Sequence, residues 1–127
     1  MNTVYLQATV HLNKKNYQQA IGMLETLKKN GQGDEKYIAY GGLGYAYFKE
    51  KNYFAARRNF ENKEFLRASK HPDFEKYVII WATTYYNLGL FNQFDNILYN
   101  LKFFDPDNQK KGKNIIENCY KLKEKHG

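Results

Sequence analysis

The sequence predicts an all-α protein built from stacked helical hairpins, and three observations support this prediction. A short motif at residues 16–20 returns at residues 52–56 and, in weaker form, at residues 90–94, in steps of 36 and then 38 residues. A large apolar residue follows each copy of the motif. Apolar residues recur at spacings of three and four, as in Leu24 and Leu27, without sustained alternation. A repeat of this length is typical of helical hairpins that stack on one another.

The first three predicted helices begin and end at recognisable signals. The first helix spans about residues 2–12 and the second spans residues 16–30. Gly31 and Gly33 follow the second helix as a C-terminal glycine stop. Asp34 then caps the third helix, which we expect to continue to residue 49.

Proline and glycine delimit the remaining helices. The fourth helix begins at residue 52 and ends near Pro72, because the residue before proline resists helical geometry. The fifth opens at Pro72 or Asp73 and ends before the turn at Gly89, and Asp105 and Pro106 mark another stop and cap. The short connections force neighbouring helices to be antiparallel. The last three of the seven predicted helices span residues 73–88, 91–104 and 108–125.

The chain is long enough for one domain with a modest core, and it carries a net charge of +7. Part of this charge lies at the end, where residues 108–127 contain six lysines and two glutamates. A general bias toward Lys, Asn, Tyr and Ile explains this charge, and an acidic partner is the alternative.

Segments that would indicate a particular compartment are absent from the sequence. No apolar run reaches the roughly 18 residues that a membrane span needs, and no signal peptide is visible at the start. We therefore expect a cytoplasmic protein if the chain is complete, and a periplasmic or membrane-anchored one if a preceding segment was removed. Cys119, the single cysteine, excludes an internal disulfide and is predicted to be a small buried hydrophobe.

The second repeat contains large and small residues at regular spacings. They are Tyr40, Leu43, Gly44 and Tyr47, followed by Ala56 and Phe60. This pattern resembles the tetratricopeptide repeat, a helix-turn-helix unit of about 34 residues. The third repeat is weaker, with Trp81 and Phe94 departing from the pattern, and the first keeps Ala20 and Leu24. The resemblance covers about residues 1–107. It implies a right-handed α-solenoid of three hairpins (about residues 1–34, 37–70 and 75–107) with a capping helix.

In tetratricopeptide repeat proteins the first helix of each hairpin lines a concave groove that binds a peptide or helix of a partner protein. The corresponding positions are Asn2, Tyr5, Thr9, Leu12, Asn13, Ile38, Gly41, Tyr45, Phe48, Lys49, Lys76, Ile79, Thr83, Tyr86 and Asn87. Their aromatic and apolar character predicts an exposed binding surface on which tyrosine rings pack and hydroxyls stay hydrogen-bonded. Alternatively, several of them fill the interior or pack under the last helix.

Two details refine this expected groove. Gly41 within a helix indicates either that a ligand backbone approaches there or that helices pack closely. Some family members grip a carboxylate with lysine and asparagine, but this chain has Tyr5, Thr9 and Tyr45 at those sites and keeps Lys76. The resemblance therefore favours an apolar helix or extended segment as the partner.

Two other modes of binding stay open. The last helix could bind nucleic acid or another acidic surface through a basic patch, in which Tyr120 is interleaved with Lys110, Lys111, Lys113, Lys121 and Lys125. Binding through phosphate contacts would weaken steeply with salt. A homodimer through the first helix is the third alternative.

Catalytic and metal-binding motifs are not recognisable. Residues 105–108 begin like a calcium loop but lack its glycine and closing glutamate. The histidines, His11, His71 and His126, lie far apart in the chain, and neither Ser nor Cys has a base at a suitable spacing. We therefore predict a non-enzymatic protein–protein interaction module, a scaffold or assembly factor, with no cofactor and no metal.

Overall fold

The computed structural model describes the backbone of residues 3–126 and the side chains of residues 4–122 and 124. This part of the chain is helical and contains no β-strand, which confirms the all-α class. A 3₁₀ turn, Leu101–Phe103, separates the last two of its eight α-helices. These helices are α1 Thr3–Asn13, α2 Tyr17–Asn30, α3 Asp34–Lys49, α4 Tyr53–Phe60, α5 Lys63–Leu66, α6 Phe74–Asn87, α7 Phe91–Asn100 and α8 Pro106–His126.

The continuous fourth helix predicted for residues 52–71 is wrong, because the chain breaks after Phe60. Asn62 has an extended backbone (φ −67°, ψ 127°), and its side chain accepts a hydrogen bond from the backbone N–H of Glu64 at 2.9 Å. This bond caps the short helix α5. The break turns Phe65 into the core, with its ring centroid 5.8 Å from that of Phe60 and 4.8 Å from that of Phe74. The described residues therefore form eight α-helices rather than seven.

Four helices follow one another in a row, and the others pack against them. In this row α1 contacts α3, α3 contacts α6, and α6 contacts α8. Helix α2 packs against α1 and α3, α4 against α3 and α6, and α7 against α6. Helix α8 runs parallel to α6, because Asn108 hydrogen-bonds Glu75 near the start of both helices while Gly112 lies against Ile79 one turn further along each.

Small residues let α3 approach its neighbours. A Cβ atom at Gly44 would lie 2.5 Å from the ring of buried Phe60, so only glycine fits there without a shift. Gly41 is also buried, and the rings of Tyr77 and Phe65 fill the space that its Cβ would need. The glycine thus serves close helix packing, which is the second of its two predicted roles.

Two groups of buried side chains form the core. The larger one extends from α1 to α6, and the smaller one joins α6, α7 and α8 around Ala82, Tyr85, Phe94 and Cys119. Cys119 is buried and unpaired, as predicted from its place on an apolar helix face.

Candidate functional site

Helices α1, α3 and α6 together line an open depression of about 200 Å³, which we call the central depression. It brings together groove positions that were predicted separately from three repeats. Its lining residues are Tyr5, Leu6, Thr9, Leu12, Asn13, Tyr45, Asp73 and Lys76. Leu6 and Asp73 were not among the predicted groove residues.

A buried hydrogen-bond network holds the wall of the central depression. The Tyr5 hydroxyl donates to a carboxylate oxygen of Asp73 at 2.6 Å and lies 3.0 Å from the Tyr77 hydroxyl. Burial is the main cause that raises the pKa of Tyr5 and of Tyr77, so both stay protonated and able to donate. His71 accepts a hydrogen bond from the Asp73 backbone N–H through Nδ1 at 3.1 Å, and its ring meets Tyr5 edge-on. The network therefore ties α1 to the start of α6.

Around Tyr45, the central depression and its margin are aromatic and positively charged, while Asp73 contributes a carboxylate to the lining. The Nζ atoms of Lys49 and Lys76 lie 5.5 Å and 5.8 Å from the ring centroid of half-buried Tyr45. Both lysines are exposed, and neither forms an ion pair within the described part of the chain. Such a surface can stack an apolar side chain on the tyrosine and offer ammonium groups to backbone carbonyls or carboxylates.

The predicted groove residues differ in how accessible they are. The expectation that Tyr5, Leu12 and Ile79 are exposed is wrong, since all three are buried where helices of the row meet. Ile38 and Gly41 are buried as well. Asn2 lies outside the described residues. The half-buried positions are Thr9, Tyr45, Phe48, Thr83 and Tyr86, and the exposed ones are Asn13, Lys49, Lys76 and Asn87.

Packing against α8 and α7 explains why Ile79 is buried and why Tyr86 is half-buried. Ile79 lies beneath α8, where a Cβ at Gly112 would be 3.5 Å from its side chain. The ring centroid of Tyr86 is 5.6 Å from that of Phe91 and 5.5 Å from that of Phe94 on α7. Burial under the last helix, one of the alternatives in the sequence analysis, thus applies to Ile79.

The basic patch on α8 is accessible but not uniformly positive. The side chains of Lys110, Lys111, Lys113 and Lys121 are exposed, and that of Lys125 lies outside the described ones. Exposed Glu117 and Glu124 follow Lys110 at seven-residue intervals, which places them on the same helix face. Tyr120 is directed toward α7, where its hydroxyl donates to Asp95 at 3.1 Å.

Among the described residues, no three His, Cys, Asp or Glu side chains come together in a way that could hold a metal ion. Within residues 3–126, no helix is both long enough and apolar enough to cross a bilayer. Comparisons with models of known protein families, with curated proteins and with solved structures found no match. The resemblance to the tetratricopeptide repeat therefore rests on the sequence motifs.

Proposed function

We propose that this chain is a non-enzymatic protein-interaction module of the tetratricopeptide repeat type, a right-handed α-solenoid that serves as a scaffold or assembly factor. Its partner would be a peptide or helical segment of another protein, bound along α1, α3 and α6. The observation that carries the proposal is the convergence of Thr9, Tyr45 and Lys76 on one accessible depression. Stacked hairpins commonly bind partners along such a surface.

The exposed chemistry suggests how the partner is held. An apolar or aromatic side chain would lie on the Tyr45 ring, and Lys49 and Lys76 would contact carbonyl or carboxylate oxygens beside it. Because the depression is small and its wall is made of buried side chains, the contact should be modest in area. We expect an affinity of about 1 μM, the range of small transient interfaces.

Site-directed photo-crosslinking tests this proposal. A photoreactive phenylalanine analogue replaces Tyr45, and the purified protein is irradiated in an extract of the source organism. The control carries the analogue at Tyr40, which is also half-buried on α3 but lines a different depression with Lys28. The proposal expects one partner peptide joined to position 45 and absent from position 40. Identical crosslinks at both positions would contradict it.

A paired set of variants measures the energetic contribution of the site. Tyr45→Ala with Lys76→Glu should weaken partner binding at least about tenfold, since a stacked ring and a cation are both lost. Tyr40→Ala with Lys70→Glu is the matched control, because it changes a half-buried tyrosine and an exposed lysine elsewhere. Circular dichroism establishes that both proteins are folded. Equal loss in the two double variants would refute the assignment.

Nucleic-acid binding through α8 is a second candidate, favoured by the exposure of its four described lysines. Fluorescence anisotropy with single- and double-stranded oligonucleotides at low salt tests it. If the lysines contact several phosphates, the affinity should fall by orders of magnitude as the salt concentration rises from about 50 to 200 mM. Lys110→Glu with Lys113→Glu should abolish it, and the absence of binding at low salt would exclude this function.

A further inference from the structure

Large exposed apolar side chains are concentrated at the two ends of the helix row. On α1, which we call the head, they are Leu6 and Val10. On α7, the 3₁₀ turn and α8, together the tail, they are Phe91, Tyr99, Phe103, Tyr120 and Leu122. Between the two ends, the described part of the chain exposes only Phe54 and Leu66 in this class. Terminal repeats of stacked arrays normally carry a polar outer face, so apolar ends indicate that something covers them.

At the head, residues of α1, α3 and the segment before α6 line an apolar pocket with an acidic rim, which we call the head pocket. This pocket has a volume of about 380 Å³, and Leu6, Ile38 and Pro72 form part of its lining. Asp34 and Glu35, in the first turn of α3, stand at the same pocket. Neither carboxylate forms an ion pair within the described residues, although the chain as a whole is strongly basic.

The tail presents an aromatic side chain next to positive charge. Phe103 is 72% exposed. The Nζ atom of Lys102 lies 5.1 Å from its ring centroid and 4.0 Å from that of exposed Tyr99. Gln109 donates to the Lys102 carbonyl, which places this turn beside the start of α8, where Lys110 is exposed together with Asp105 and Asp107.

We propose that copies of this chain associate head to tail, with Phe103 of one copy inserted into the head pocket of the next. Lys102 and Lys110 would then face Asp34 and Glu35. The two surfaces match in apolar character, and Lys102 and Lys110 complement the acidic rim of the head pocket, although Asp105 and Asp107 lie in the same segment of the tail. Contact between two heads would oppose carboxylates, whereas contact between two tails would bring lysines and aspartates together, so charge disfavours the head-to-head arrangement. A contact between different surfaces is heterologous and can continue into chains of copies.

Sedimentation velocity of the full chain, from about 10 μM to about 1 mM, tests this arrangement over the range of weak association. The average mass of the wild type should rise with concentration. Leu6→Lys blocks the head and Phe103→Glu blocks the tail, and each should weaken self-association at least about tenfold, because an apolar contact is replaced by a repelled charge.

Mixing the two variants distinguishes head-to-tail association from other contacts. Each variant keeps one intact surface, so an equimolar mixture should form a one-to-one dimer and stop there. Matched controls are Leu66→Lys and Phe54→Glu, whose side chains are 54% and 70% exposed, against 51% for Leu6. These controls should associate like the wild type, and circular dichroism checks the fold of all four variants.

Three outcomes would overturn the proposal. The first is a wild type that stays monomeric throughout, including one whose tail binds anionic vesicles or oligonucleotides instead. The second is a mixture of the two variants that stays monomeric. The third is a loss of association in only one variant, which would assign the contact to two copies of the same surface.

Discussion

Replacement of Gly44 by alanine tests the close approach of α3 to α4. A Cβ atom at this position would lie 2.5 Å from two carbons of the Phe60 ring and 2.7 Å from a third. Phe60 is fully buried, and its ring centroid is 5.8 Å from that of Phe65 and 6.0 Å from that of Trp81, on which it stacks. The ring cannot withdraw without displacing these neighbours. We therefore expect Gly44→Ala to destabilise the protein.

The expected loss follows from two opposing effects. Overpacking a core costs about 1–3 kcal/mol, and contacts about 1 Å shorter than normal place Gly44→Ala in the upper half of that range. Removing a glycine from a helix interior offsets about 1 kcal/mol of this cost. The net loss is about 1–2 kcal/mol. With an unfolding entropy of about 0.27 kcal/mol/K for a chain of this length, Tm should fall by about 4–7 °C.

Gly22→Ala is the control, because Gly22 also lies within a helix but has no atom within 4 Å of its Cβ position. This change should stabilise the protein by up to about 1 kcal/mol and raise Tm by up to about 4 °C. Urea unfolding followed by circular dichroism, together with thermal melts, measures both variants. If Gly44→Ala is as stable as Gly22→Ala, the close-packing argument is refuted.

Three further predictions concern local interactions. Tyr5→Phe should lower the free energy of unfolding by about 1.5–3 kcal/mol in urea, because it removes the hydrogen bond to the Asp73 carboxylate. Burial raises the pKa of Tyr85 to about 12, against about 10 in the unfolded chain. Its stabilising contribution to the free energy of unfolding is therefore complete below pH 10 and is lost as the pH rises to 12. In urea unfolding experiments over this pH range, the free energy of unfolding should fall less for Tyr85→Phe than for the wild type. Asn62→Ala should cost about 1 kcal/mol by removing the cap of α5, whereas Asn62→Asp should retain most of the stability.

Helix ends were predictable where a residue interrupts a helix by its own chemistry. Asp34 and the glycines before it indicate the start of α3, and the structure begins this helix at Asp34. The predicted capping role of Asp34 is wrong, because Gly33 is the N-cap residue and no side-chain capping hydrogen bond forms there. The break at Asn62 was missed, because asparagine is tolerated within helices and its capping role depends on context. The burial of Phe65 against Phe60 favours the break, and this contact forms only after the chain has folded back. The only local indication of the break was Asn62, a residue type that can cap a helix through the backbone N–H two residues later, and this indication is weak without other evidence.

The resemblance to the tetratricopeptide repeat implied that positions of α1, α3 and α6 share a surface, and Thr9, Tyr45 and Lys76 do line the central depression together. It could not predict how deeply each side chain is buried, because burial depends on the distance between helices. The hydrogen bond between Tyr5 and Asp73, which are 68 positions apart, could not be predicted from the sequence either. Asp73 already has a local explanation as a residue at a helix start, and Tyr5 has one as a groove position.

The buried network also determines what the central depression can recognise. The Tyr77 ring fills the space in front of Gly41, and Lys76 lies over that ring with its Nζ atom 5.0 Å from the centroid. Under the proposed function, a partner side chain would therefore not penetrate deeply and would contact the outer surface around Tyr45. The predicted groove therefore contains two kinds of residue: buried ones that hold the helices together and accessible ones that could contact a partner. Changes at Tyr5 should act on folding, whereas changes at Tyr45 should act on partner binding with a smaller effect on stability, because its ring is only half-buried.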